Sequence, residues 1–140
     1  MSVDIKVTVR PLPLFSKSGK GRIPFEKIAH SVLGKKYELS LVICGDFLAR
    51  KMNKTYRKKI YAPNVLSFPL FKQEGEIFLN VRAAAREAKQ FNIPLRERLA
   101  HLLVHGCFHL KGLRHGRIME SKERRTLRAF NFPCKGSTPA

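Results

Sequence analysis

Four of the chain's 5 histidines fall between positions 101 and 115, in the run His101-Leu-Leu-Val-His105-Gly-Cys-Phe-His109-Leu-Lys-Gly-Leu-Arg-His115. His105 and His109 are four residues apart, so on a helix their imidazoles leave one face a turn apart and can reach one metal ion. Gly112 ends that helix, because glycine takes the left-handed conformation that turns a chain back. The turn lets His115 approach from outside the helix as a third ligand. Three imidazole nitrogens with one open position describe a catalytic zinc site. His101 extends the same face one turn earlier. As a ligand it would crowd the site, so it is read as support behind the ligands or as a structural residue. Cys107, two residues from His105, points to the other side of the helix and is read as core. His30 stands alone and is read as structural.

One missing residue narrows the chemistry. Zinc peptidases with this spacing carry Glu directly after the first histidine, as general base; here that position is Gly106. A metal lowers the pKa of a water without an adjacent carboxylate, but cleaving a peptide also requires a proton for a poor amine leaving group. The loss of Glu therefore disfavours peptide hydrolysis. Charge points to a different substrate: 28 Lys and Arg against 10 Asp and Glu leave +18 on 140 residues. Such a field attracts polyanions, above all nucleic acid, and favours a phosphodiester.

The remaining composition is that of a globular chain, with 44% hydrophobic and 27% charged residues. One domain over residues 1–134 is expected, followed by a loose tail at 135–140. No apolar run approaches the roughly 20 residues of a membrane span, and the N-terminus lacks the pattern of a secretory signal. The 3 cysteines (Cys44, Cys107 and Cys134) are odd in number and widely spaced. They are expected as reduced thiols in a cytoplasmic protein.

Local patterns predict the elements that must position the histidines. Ile5, Val7 and Val9 alternate with Lys6 and Thr8 as in a half-buried strand. Pro11, Pro13 and the stretch Ser16 to Gly21 read as a loop, and Pro24 to Leu33 as a helix ended by Gly34. Leu39, Leu41 and Ile43 give a second strand. A helix follows with Asp46 as its N-cap and Leu48, Met52 and Tyr56 along it. Val65 to Pro69 is a short strand with Pro69 at an edge or break, and Glu76 to Leu79 is another. Helices are expected over Asn80–Phe91, from Pro94 to about Leu110, and over Ile118–Phe130. The order is β-α-β-α-β-β-α-α-α. It predicts an α+β fold, a small mixed sheet with helices packed against it, with the metal site on a long helix and the following turn.

The segment from His105 to His115 closely resembles the His-Gly-x-Leu-His-Leu-x-Gly-Tyr-Asp-His signature of the YbeY family of bacterial rRNA maturation endoribonucleases. Met52 to Lys59 is similar to that family's Leu-Asn-x-x-Tyr-Arg segment, and Val65 to Pro69 to its Val-Leu-Ser-Phe-Pro strand. The resemblance covers roughly residues 1–130. Pro63-Asn64 stands where the family has Thr-Asp, Glu76 where it has Asp, and Leu113-Arg114 where it has Tyr-Asp. The last change sets an Arg beside the third histidine, so any ligand-orienting role of that Asp is missing here. The resemblance implies a metal-dependent endoribonuclease directed at single-stranded RNA. It further implies association with the ribosomal small subunit and its proteins, and maturation of small-subunit (16S) rRNA.

On this reading His105, His109 and His115 hold one zinc ion, which polarises a water or a phosphate oxygen. Arg57 stands among Arg50, Lys51, Lys54, Lys58 and Lys59, with no acid between them. Its planar fork can stabilise charge on two phosphoryl oxygens, or serve as a plain phosphate anchor. Lys54, Lys58 and the Ser67 hydroxyl are the candidate substrate contacts, while core packing competes for Val65, Leu66 and Phe68. Two rival readings stay open: a non-catalytic RNA-binding ribosome assembly factor with structural zinc, and a metallopeptidase. Water or an open position on the metal favours the enzyme; His101 completing a tetrahedron favours the assembly factor.

Overall fold

The computed structural model describes residues 2–9 and 23–133. Their elements are β1 (Ser2–Val7), α1 (Phe25–Leu33), β2 (Glu38–Cys44), α2 (Asp46–Arg57), β3 (Val65–Phe71), β4 (Glu74–Asn80), α3 (Val81–Phe91), α4 (Leu95–Leu110) and α5 (Arg117–Ala129). The expected order is met element by element. The loop read over Pro11 to Gly21, Cys134 and the tail from Lys135 lie outside the described residues.

The sheet has the order β1-β2-β4-β3. β1 and β4 both run parallel to β2, and β3 returns antiparallel along β4. Parallel neighbours need a crossover: α1 supplies it between β1 and β2, and α2 with β3 between β2 and β4. The result is a mixed α+β sheet. Its main face packs Leu39, Leu41, Ile43, Ile77 and Leu79 against α1, α3, α4 and α5. Val42, Cys44 and Phe78 point the other way and pack with Ala49 and Leu66 under α2. Both faces are therefore buried at one end, which is why Leu41-Val42-Ile43-Cys44 and Ile77-Phe78-Leu79 read as continuous apolar runs.

α4 lies between the sheet and the other helices, in contact with α1, α3, α5, β3 and β4. It is apolar almost all round, with Leu99, Leu102, Leu103, Val104 and Cys107 at 0% exposure. A helix of this kind is a rigid mount, because moving it would repack the whole core.

Four local expectations are corrected. β1 spans Ser2–Val7 rather than reaching Val9, and Ile5 and Val7 remain 40% and 37% exposed. β1 is an edge strand, and only Val3 and Val9 pack on the core from this segment. Asp46 is not the N-cap of α2. Gly45 holds that position, and the Asp46 carboxylate instead accepts two hydrogen bonds from Arg86 at 2.8 and 2.9 Å and one from Asn80 Nδ2 at 3.0 Å. Along α2 the buried face is Ala49 and Asn53, flanked by Leu48 and Met52, whereas Tyr56 is 64% exposed. A polar Asn at the centre of the inward face hid that stripe from an apolar count. Finally, β3 runs past Pro69 to Phe71, with its register shifted between the two on the sheet edge; an edge tolerates the missing N–H.

Candidate metal centre and its cleft

The end of α4 places the three histidines through one turn. Gly112 has φ +91°, the left-handed region that costs a side chain-bearing residue energy. Its N–H donates to the His109 carbonyl at 2.9 Å, and the Leu113 N–H to the Phe108 carbonyl at 3.1 Å. That paired pattern ends the helix and reverses the chain. The reversal sets the Leu113 carbonyl 3.2 Å from His109 Nδ1 and returns His115 to the other two. Ring centroids are 4.5 Å apart for His105 and His109, 4.7 Å for His105 and His115, and 4.8 Å for His109 and His115.

Tautomers follow from the outer nitrogens. His105 Nδ1 donates to Glu123 Oε2 at 2.6 Å, and His109 Nδ1 donates to the Leu113 carbonyl. Both Nε2 atoms then face the centre of the group, 3.0 Å apart. Burial, then the neighbouring His105 and His115, hold His109 below the usual histidine pKa, toward the neutral form. With the Nδ1 atoms engaged elsewhere, the two Nε2 atoms are the nitrogens left to bind a cation in the space between the rings. Nitrogens about 2.0–2.1 Å from a tetrahedral zinc lie roughly 3.3 Å apart, so the geometry fits a metal ion. Among the described residues, His105, His109 and His115 form the one group of three or more candidate donors.

Glu123 escaped the sequence reading. It lies in α5 between Arg and Lys neighbours and reads as solvated, yet it is 1% exposed. The available signal was its spacing, four residues from both Met119 and Leu127, which are also buried. Its Oε2 holds His105, and its Oε1 has no hydrogen-bond partner and stands 4.0 Å from His101 Nε2. His101 thus stands on the far side of Glu123 from the three-histidine group. Burial pulls its pKa down to about 4, against the opposing pull of Glu123. Cys107 is fully buried, and burial pushes its thiol pKa up, so it packs the core.

The histidines open into a cleft of about 530 Å³, lined also by Arg57, Tyr61, Pro63, Asn64, Val65 and Ser67. Arg57 comes from the last turn of α2. Lys54 and Lys58 are exposed at the same helix end but outside the lining. Ser67 lines the cleft while its hydroxyl donates to the Gly106 carbonyl at 3.0 Å. This contact explains Gly106: a Cβ there would meet Ser67 Oγ at 3.0 Å and Val65 Cγ2 at 3.2 Å. The position that carries Glu in peptidases is here the point where α4 touches β3. Leu66 is buried beneath α2, and Phe68 packs beside it with Tyr56 at 5.5 Å. Arg114, beside the third histidine, is exposed.

The Asn64 wall is pinned from behind. Asn64 Nδ2 donates to Glu87, whose carboxylate also accepts from the buried Arg98 at 2.9 Å. Asn80 caps α3 through the Arg82 and Ala83 N–H groups and donates Nδ2 to the Pro63 carbonyl at 3.0 Å.

An α+β sheet protein whose central helix and following turn gather three histidines able to hold a metal, beneath an arginine-walled cleft, is thereby defined. The chain belongs to the family described as Endoribonuclease YbeY, which matches residues 23–131. It is 38% identical over 117 residues to an Endoribonuclease YbeY of Methylobacillus flagellatus, covering 78% of each chain. An Endoribonuclease YbeY of Neisseria meningitidis is 34% identical over 128 residues, covering 78% of this chain and 76% of that one. A Thermotoga maritima protein of known solution structure shares the fold at a TM-score of 0.60 and 20% identity, over 99% of this chain and 98% of that chain.

Proposed function

We propose that this chain is a zinc-dependent endoribonuclease that cleaves single-stranded RNA and matures small-subunit rRNA in the cytoplasm, in association with the ribosomal small subunit and its proteins. The observation that carries the reading is the open three-histidine group facing a cleft walled by Arg57, in a family of endoribonucleases. A zinc ion there supplies a Lewis acid for a water or a phosphate oxygen. His105 and His109 present Nε2 because Glu123 and the Leu113 carbonyl hold their Nδ1 protons. Arg57 binds the phosphoryl oxygens of the scissile phosphodiester and stabilises the charge that builds on them. Lys54, Lys58 and Ser67 act on the neighbouring strand: the two lysines by charge, and Ser67 through its oxygen lone pairs, its proton being engaged by Gly106.

A catalytic rather than a purely structural metal is favoured because, among the described residues, the group offers three candidate ligands, with His101 turned to Glu123 and Cys107 buried in the core. Structural zinc sites close with four. The test joins zinc content to cleavage of a single-stranded RNA, in wild type, His109→Ala and Arg57→Glu. His109→Ala should lose zinc and cleavage while retaining much of its RNA binding; Arg57→Glu should keep zinc and lose cleavage. Full cleavage by zinc-free His109→Ala would overturn the catalytic role of the metal.

A further inference from the structure

Tyr61 is the aromatic residue in the lining of the metal cleft, and it is 53% exposed. It stands four residues past Arg57, in the segment that returns from α2 to β3. That segment is hydrogen-bonded from beneath. Asn53, at 0% exposure, donates Nδ2 to the Tyr61 carbonyl at 3.0 Å, and its own carbonyl accepts from the Lys59 N–H at 3.3 Å. One buried asparagine thus fixes both the end of the helix that carries Arg57 and the backbone that carries Tyr61. Two residues on, the Pro63 carbonyl is tied to Asn80. The ring is presented to solvent on a backbone with little freedom left to lose on binding.

A large aromatic face left open beside cationic side chains is how proteins hold unpaired nucleotides. The cations take the phosphates, and the ring takes the π-face of a base. In a duplex that face is covered by the neighbouring base pairs, so such a platform serves single strands alone. From this placement we infer that Tyr61 is a base-stacking platform, binding the nucleobase next to the phosphate that lies between the three histidines and Arg57, and thereby imposing single-strand selectivity. The inference rests on the endoribonuclease reading and adds to it a subsite for one unpaired base.

The test uses zinc-loaded full-length protein and a single-stranded RNA, intact or with one abasic nucleotide moved stepwise along it. Tyr61→Ala should lower kcat/KM on intact RNA roughly 5- to 150-fold, the equivalent of about 1–3 kcal/mol for one stacked base. Tyr61→Phe should restore most of that loss, because it keeps the ring. At one abasic position wild type should fall to the level of Tyr61→Ala, and the substitution should then have no further effect. Undiminished cleavage by Tyr61→Ala, or a loss that persists at every abasic position, overturns the platform and leaves the exposed ring to a protein partner. A loss that tracks reduced zinc content overturns it too. Wild type that neither binds nor cleaves RNA defeats the endoribonuclease reading itself, and the platform with it.

Discussion

His105 is oriented by a carboxylate 18 residues further along the chain. A metal-binding histidine whose outer N–H is held by a carboxylate keeps one tautomer and one ring plane, and it is a stronger ligand for that. Glu123 supplies this contact from α5, so the Arg114 that replaces an Asp beside His115 does not leave the site without a carboxylate. Glu123→Gln removes the charge at nearly constant volume. Zinc affinity should fall about 10- to 100-fold, read by competition with a chelator of known affinity. Unchanged affinity in the folded variant would reduce Glu123 to a packing residue.

Between elements, the contact of α4 with β3 sets how deep the histidines sit. Gly106→Ala would press a Cβ against Ser67 Oγ, Val65 Cγ2 and Ile77 Cδ1, all within 3.3 Å. Forcing a methyl into packed surroundings costs about 1–3 kcal/mol, and the helix would yield by lifting from β3. Chemical denaturation should report the lost stability, and zinc titration should show a weakened site, because both His105 and His109 move with α4. A variant as stable as wild type would show that the sheet gives way instead.

A second junction is sensitive to acid. Asp46, at the start of α2, pairs with Arg86 on α3, and hydrogen bonds from Arg86 and Asn80 hold its pKa down to about 2. An unfolded Asp titrates near roughly 3.9. The contribution is therefore complete above about pH 4 and is lost as pH falls through about 2. The pair is partly solvated, so Asp46→Asn should cost no more than about 1 kcal/mol near neutral pH. Denaturant curves at pH 6 and pH 2 should show that difference shrinking in acid; a difference that grows would refute it.

For the whole molecule, a net charge of +18 makes RNA affinity a matter of counterion release. Three or more phosphate contacts predict a fall of roughly 20-fold or more between 50 and 200 mM salt for a single strand. Anisotropy titrations at several salt concentrations give the slope, and a flat response would exclude a phosphate-dominated interface. No helix among the described residues is long and apolar enough to cross a membrane.

By itself the sequence determined what is local. Two histidines one helical turn apart, a glycine that can reverse the chain and a third histidine three residues later bring together a group that could hold a metal, because helix period and backbone sterics act over a few residues. Alternation, caps and breakers likewise determined the order of the elements. Tertiary structure decided everything that joins distant segments. It turned Glu123 from one acid among bases into the buried partner of His105, by laying α5 against α4. It made Gly106 a contact with β3, brought Tyr61 and Asn64 beside the histidines, and left Lys54 and Lys58 outside the cleft. Those outcomes depend on which helix faces which strand, and that is settled by how the whole core packs rather than by the spacing of residues along one element.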